Sequence, residues 1–336
     1  RERASRRGRL SRRCTLAYEQ ARQTVGDFLG ARPDDHVIFT RNTTDALNLL
    51  ARALPAGTTV ITFGGEHHAN LLPWPRGSVR LPVPDSPAGA VRSLAAALGE
   101  LARDARPGLP VLVAVTGAGN VTGEVWPIAE LARVAHRHGA RILVDAAQLA
   151  PHAPVDLAAL DVDYVALSGH KLYAPFGAGV LAGRADWLDA APPYLAGGGA
   201  TSHVGAATHE VRWTTGPARH EAGTPNLLGA VALAAVCAAL GEADRQALHV
   251  REQALLTRLR RGLATLPDLV ELRMFGPDAP RVGIVSFVVA GRDSADVAAH
   301  LASRHRIGVR RPVCAHPLTR RCCRAPPVPA APTCPR

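Results

Sequence analysis

Short runs of β-branched and aliphatic residues recur along the first two thirds of this 336-residue chain, separated by alanine- and leucine-rich stretches of helical length. The runs are HVIFT (36–40), TTVITF (58–63), VRLPV (79–83), VLVAVT (111–116), RILVD (141–145), DYVAL (163–167) and AGVLAG (178–183). Between several of them lie TDALNLLARAL, VRSLAAALGELARDA and IAELARVAHRHG. Strands separated by helices can pair in parallel, because each helix carries the chain back to the starting edge of the sheet. The pattern predicts an α/β large domain with a mostly parallel seven-stranded sheet flanked by helices. No internal repeat is present.

The rest of the chain predicts a smaller α+β unit. Residues 227–264 read as one or two long helices, the first starting after GTPN. GIVSFVV (283–289), SADVAAHLASRH and IGVR (307–310) then read as a βαβ unit. The expected organisation is a basic N-terminal segment over residues 1–14, a large domain over 15–235, a small domain over 236–318 and an irregular tail over 319–336. That tail is rich in Pro, Arg and Cys and has too little apolar surface to order itself.

Composition narrows the function classes. Hydrophobic residues make up 47% of the chain and aromatics only 4%, so the core must be mostly Ala, Val and Leu. No run approaches the roughly 18 apolar residues of a membrane span, and the arginine-rich start lacks the apolar stretch of a signal peptide. A cytoplasmic protein without a membrane partner is expected. The net charge is +11, yet residues 1–13 supply +6 and residues 304–336 supply +8, leaving the body at −3. A basic nucleic-acid-binding face on the fold itself is therefore not expected. The six cysteines form no CxxC pair and four crowd into residues 314–334; free thiols, not a zinc site, are the expectation.

In an open α/β sheet, ligands bind beyond the carboxyl ends of the strands, and the chemically able residues fall at those ends. HVIFT runs into Arg41, Asn42, Thr43 and Thr44 and then into a helix; the stretch reads as a phosphate cradle or as an ordinary threonine cap. RILVD ends in Asp145, with Gln148 close behind; the acid can hold a cationic ring nitrogen or cap a helix. TTVITF leads to His67 and His68, and VLVAVT to Asn120 among Gly117, Gly119 and Gly123, which permit the turns. DYVAL ends in Ser168, Gly169, His170 and Lys171.

Lys171 is the one lysine among 39 Lys plus Arg. Arginine cannot replace a primary amine that loses its proton near neutrality and condenses with a carbonyl. Lys171 is thus a candidate Schiff-base residue, with a solvated surface lysine as the alternative. Together the strand ends offer an anion cradle, an imidazole to stack on a ring, an amide, a carboxylate and an amine. That is the set pyridoxal 5′-phosphate requires.

The stretches EHHANLLPW, NVTGEVWPI, ILVDAAQLAPHAPVDLAALDVDYVALSGHKLYAPFGAGVL and HEAGTPN resemble the class V aminotransferase family of fold-type I pyridoxal-phosphate enzymes. Within it the likeness is to SUF-type cysteine desulfurases and selenocysteine lyases, over about residues 15–318. The resemblance implies a Schiff base on Lys171, Asp145 on the pyridine nitrogen, Gln148 on the ring hydroxyl, His67 stacked on the ring and Asn120 on the substrate side. It gives the phosphate to Thr43, Thr44, Ser168 and His170, with Thr224 from a second subunit, hence a homodimer. The implied activity is removal of sulfur from L-cysteine or a related amino acid. Cys314 in VRRPVCAHPL would carry the persulfide and hand its sulfur to an acceptor protein; a structural role for Cys314 stays open.

Several departures accompany the likeness. Asn42 stands where the family has glycine; the approach to Cys314 is one residue shorter than the family's, with Pro312 and Val313 where flexible or polar residues are common. The family's segment before TLAYEQAR is not found, and Pro329 occupies the region where a substrate-binding arginine is expected, as though the chain were truncated at both ends. An aminotransferase or epimerase without sulfur transfer and a catalytically silent homologue are the competing expectations.

Overall fold

Seven strands build the central sheet of the computed structural model, which describes residues 8–104, 108–207 and 209–310. They are β1 (Asp35–Thr40), β2 (Thr59–Phe63), β3 (Val79–Leu81), β4 (Val111–Thr116), β5 (Arg141–Asp145), β6 (Tyr164–Ser168) and β7 (Gly179–Arg184), in the spatial order β1-β7-β6-β5-β4-β2-β3. Strand β7 runs antiparallel to its neighbours β1 and β6, and the other pairs are parallel. Residues 169–178, which join β6 to β7, hold no crossover helix, so β7 can only return antiparallel. The expected α/β class and mostly parallel seven-stranded sheet are what the structure contains.

Both faces of the sheet are buried, which is why its strands read as nearly continuous apolar runs. On β4, Val113 and Val115 join Ile61, Phe63, Ile142 and Val144 on one face. Leu112 and Ala114 join Val60, Leu143, Tyr164 and Ala166 on the other. The first face is covered by α1 (Arg9–Phe28), α3 (Pro87–Asp104), α4 (Ile128–Arg137) and α6 (Leu227–Glu242), the second by α2 (Thr43–Ala53) and α5 (Ala185–Ala190). Helix α1 takes up part of the basic N-terminal stretch and buries Tyr18, Ala21 and Val25.

The remaining elements are a ribbon of β8 (Thr201–Val204) and β9 (Val211–Trp213), helix α7 (Arg245–Leu263), an antiparallel pair of β10 (Leu269–Glu271) and β11 (Phe287–Val289), and α8 (Ser294–His305). Helices α6 and α7 divide at Asp244, whose side chain accepts the Ala247 N–H at 2.9 Å.

The βαβ unit expected over 283–310 does not form. Only Phe287–Val289 is strand, it pairs backward with Leu269–Glu271, and residues 307–310 are not strand. The backbone just before it is already committed elsewhere: the Val282 N–H donates to Gly123 O and the Val125 N–H to Pro280 O, both at 2.8 Å. Among the described residues no single helix is long and apolar enough to cross a membrane.

Candidate active site

Strand β1 ends at Thr40 and α2 begins at Thr43, so Arg41 and Asn42 make the whole strand-to-helix turn. Asn42 has φ −174° and ψ 179°, extended backbone open to any residue, and its side chain accepts the Asp45 N–H at 3.0 Å. The departure from glycine is thus absorbed as a helix cap. What the turn does require is Gly179 on β7, where a Cβ would sit only 2.6–2.8 Å from Asn42 backbone atoms. This close approach brings Thr43 onto the end of β6. Its N–H donates to Ser168 Oγ at 2.8 Å and the two hydroxyls meet at 2.7 Å. Thr44 and His170 are exposed, His170 on the one-turn helix Gly169–Leu172 that follows β6.

Asp145 closes β5, buried, and accepts the Ala147 N–H at 3.0 Å. Burial pushes its carboxyl above the usual range, while the Ala147 N–H and the Lys171 charge pull it back. Burial in turn pushes Lys171 below its ordinary value, with Asp145 opposing and Arg310 adding to the drop. The two groups therefore sense each other across the ends of adjacent strands, and Lys171 is biased toward the neutral amine that carbonyl condensation needs.

Glu66 lies just beyond β2, wholly buried. Its Oε1 accepts the Thr116 N–H and its Oε2 the Asn70 amide, both at 2.9 Å. Burial overrides these contacts and, with the Asp145 charge, pushes the carboxyl up to about 8. The next residue, His67, is exposed, and its Nδ1 accepts the Ala69 N–H at 3.1 Å, which places the proton of the neutral ring on Nε2.

Asn120 is half-buried on the turn after β4, and Gln148 is half-buried on the turn after Asp145. The Asn120 turn is docked onto the C-terminal part of the chain. At Gly123, φ is +74° and a Cβ would stand 2.8 Å from Ile284 O. Glu124 forms a fully buried ion pair with Arg281 at 3.0 Å and also accepts the Met274 and Phe275 N–H groups. Thr224 is exposed on the loop before α6. Cys314, with Pro312, Val313 and Pro329, lies outside the described residues. Of the two described cysteines, Cys14 is exposed and Cys237 is buried, its thiol pushed up to about 12 by burial, so Cys237 is no nucleophile.

The profile of the class-V aminotransferase family matches residues 3–325. This chain belongs to that family. A cysteine desulfurase of Dickeya dadantii is 38% identical over 325 residues, covering 93% of this chain and 76% of the relative. A probable cysteine desulfurase of Synechocystis is 36% identical, covering 86% and 69%. Among solved structures, the apo cysteine desulfurase of Thermococcus onnurineus superposes with a TM-score of 0.79 at 34% identity, covering 90% of this chain and 75% of that one. The Escherichia coli cysteine desulfurase CsdA gives 0.73 at 33% identity, covering 87% and 72%.

The residues present fit the cofactor of such an enzyme. A hydroxyl-lined helix N-terminus seated on a bare glycine suits a phosphate. A buried carboxylate at the end of β5 and a desolvated lysine just past the end of the neighbouring β6 suit the two ends of a pyridine aldehyde. Sequence reasoning passed over Glu66, noticed only as the residue before His67. No local signal marks it: its sequence neighbours are Gly64, Gly65, His67 and His68, and its burial against the Thr116 N–H comes from a residue 50 positions away.

Proposed function

We propose that this chain is a pyridoxal 5′-phosphate-dependent cysteine desulfurase, removing sulfur from L-cysteine and passing it to an acceptor protein. The observation that carries this reading is that buried Asp145 closes β5 while Lys171 follows the end of the neighbouring β6, beside the Thr43–Ser168 cradle, in a chain whose similar relatives are named cysteine desulfurases. When bound, the cofactor supplies an aldehyde for an amine and a cationic ring that draws electrons from the substrate α-carbon.

Thr43, Thr44, Ser168 and His170 would hold its phosphate, Asp145 would keep the ring nitrogen protonated, and Gln148 and His67 would contact the ring. Asp145 suits its task because a carboxylate deprived of water favours a cation opposite it. Lys171 would hold the aldehyde, and its Nζ, kept low in charge by burial, would be the base that takes the α-proton and returns it. Asn120 lines the substrate side. The Cys314 thiolate attacks the substrate sulfur. A sulfur–sulfur bond forms as the carbon–sulfur bond of the substrate breaks, leaving a persulfide on the protein and alanine as product.

The reading includes a homodimer in which Thr224 reaches the phosphate of the second subunit. Tyr173 (74% exposed), Phe176 (87%) and Leu228 (81%) support it. The Asn226 amide donates to Gly177 O at 2.8 Å and ties these two apolar stretches together beside the site. Large apolar side chains grouped in this way call for a covering surface. A large domain over 15–235 and a small one over 236–318 belong to the same proposal, with Glu124 and Arg281 at their junction. The reducing cytoplasm suits a thiol-based sulfur carrier.

The test starts from purified chain loaded with pyridoxal phosphate, reduced with borohydride and mapped by mass spectrometry. The expected adduct is on Lys171. A separate, unreduced sample given L-cysteine should yield alanine and sulfur in equal amounts, and Cys314→Ala should form no persulfide. Turnover of L-cysteine without sulfur release would move the assignment to an aminotransferase or epimerase, and the absence of any adduct would refute it altogether.

A further inference from the structure

The dipeptide His220–Glu221 lies far from Thr43 in sequence, yet two separate chains of hydrogen bonds connect it to the cradle. The first begins at Glu221, which is buried. Its Oε1 accepts the Phe39 N–H at 2.8 Å and Arg22 Nη1 at 2.7 Å, and its Oε2 accepts Arg22 Nη2 at 3.0 Å and the Tyr18 hydroxyl at 3.1 Å. Arg22 Nη1 also donates to Val37 O at 2.6 Å. Strand β1 is an edge strand, so the outward groups of Val37 and Phe39 have no strand to pair with. Glu221 and Arg22 occupy that edge just before the chain turns into Thr43.

The second chain begins at His220, also buried. Its Nδ1 accepts the Tyr194 N–H at 3.2 Å and its Nε2 donates to Leu188 O at 2.8 Å. Burial holds this ring below its usual value, in keeping with the neutral tautomer these two contacts require. The Tyr194 hydroxyl then donates to Asp45 Oδ1 at 2.9 Å, and Asp45 also takes the Arg41 N–H at 3.0 Å. The strand before Thr43 and the helical turn after it are thus both secured to one dipeptide.

We propose that His220 and Glu221 are positioning residues for the phosphate cradle, Glu221 setting the strand that delivers Thr43 and His220 setting, through Tyr194 and Asp45, the helix turn that carries it. This rests on the cofactor reading above. The same dipeptide anchors the stem of the loop bearing Thr224, so one anchor serves both sources of phosphate ligands.

The test compares pyridoxal 5′-phosphate with pyridoxal, which has the same aldehyde and no phosphate. Both are titrated by visible absorbance into wild type, Glu221→Gln and Tyr194→Phe, alongside the melting temperature of each cofactor-free protein. Each variant should bind pyridoxal phosphate roughly tenfold more weakly, the scale of one lost charge-assisted hydrogen bond. Pyridoxal binding should change by less than about twofold. Tyr194→Phe loses a single hydroxyl at a half-buried position and decides the matter should Glu221→Gln fail to fold. Equal weakening of both ligands, or of neither, would overturn the positioning role while leaving the function intact. Failure of the wild type to bind either ligand would overturn both.

Discussion

Replacing Glu66 by Gln isolates what burial does to charge at this site. The carboxyl is 0% exposed and is pushed up to about 8 from an ordinary 4.5. The folded state therefore keeps a proton that the unfolded chain releases from pH 4.5 upward. Stability associated with this group is complete below pH 4.5 and drains away as the pH rises, until it is gone above about 8. At about 1.4 kcal/mol per pH unit the whole span amounts to ~5 kcal/mol.

Glutamine keeps an oxygen for the Thr116 N–H and presents an amide to Asn70, whose buried Oδ1 has no other hydrogen-bond partner among the described residues. It cannot titrate. Urea unfolding of both cofactor-free proteins, followed by far-ultraviolet circular dichroism from about pH 5 to about pH 9, should show the wild type falling steadily below the variant and then levelling off. In an Asp145→Asn background the levelling should move to lower pH, because the neighbouring negative charge that helps raise Glu66 is gone. Stability curves that stay parallel throughout would mean that Glu66 is ionised in the fold and that its hydrogen bonds outweigh desolvation.

Arg281→Met should cost about 3–5 kcal/mol by denaturant unfolding, since it strands the buried Glu124 carboxylate; adding Glu124→Gln should recover at least about 1 kcal/mol, and strict additivity would deny the coupling. Gly179→Ala should lift the Asn42 backbone off β7 and weaken pyridoxal phosphate binding at least about tenfold, so unchanged binding would show the close approach to be dispensable. Burial pushes His136 down, but its contacts to Asp163 (2.9 Å) and Asp161 (3.1 Å) prevail and hold it above 6.5. Stability from that pair is present below pH 6.5 and is lost as the pH rises through the folded value. His136→Gln should flatten this slope, chiefly at low salt because the ring is partly exposed, and an unaltered slope would show that the pair contributes nothing.

Legibility followed the reach of each signal. The strands and the helices between them were readable because their periods are local and a sheet covered on both faces needs continuous apolar runs. Helix α3 starts at Pro87, several residues before the expected VRSLAAALGELARDA, as proline suits the first turn of a helix. The ribbon β8–β9 escaped notice because its strands are short and mostly exposed, so no buried face marks them. The missing strand at 307–310 and the backward pairing of β11 reflect competition for backbone partners, which periodicity cannot weigh. At the site, Lys171, Asp145 and the Thr43 turn stood out because residue type and strand-end position coincide. Glu66, Tyr194 and His220 did not, since their roles depend on neighbours distant in the chain.

The amino-acid order by itself determined which side chains stand at strand ends and which chemistries they can perform, because both follow from short-range pattern and functional-group type. Only the tertiary structure decided their charge states and spacing. Whether Glu66 keeps its proton, and how low Lys171 is driven, depends on how much water the packed sheet excludes. Whether Thr43 meets Ser168 depends on β7 folding back to place a glycine beneath Asn42. Desolvation and close approach are properties of an assembled interior, summed over residues far apart in the chain.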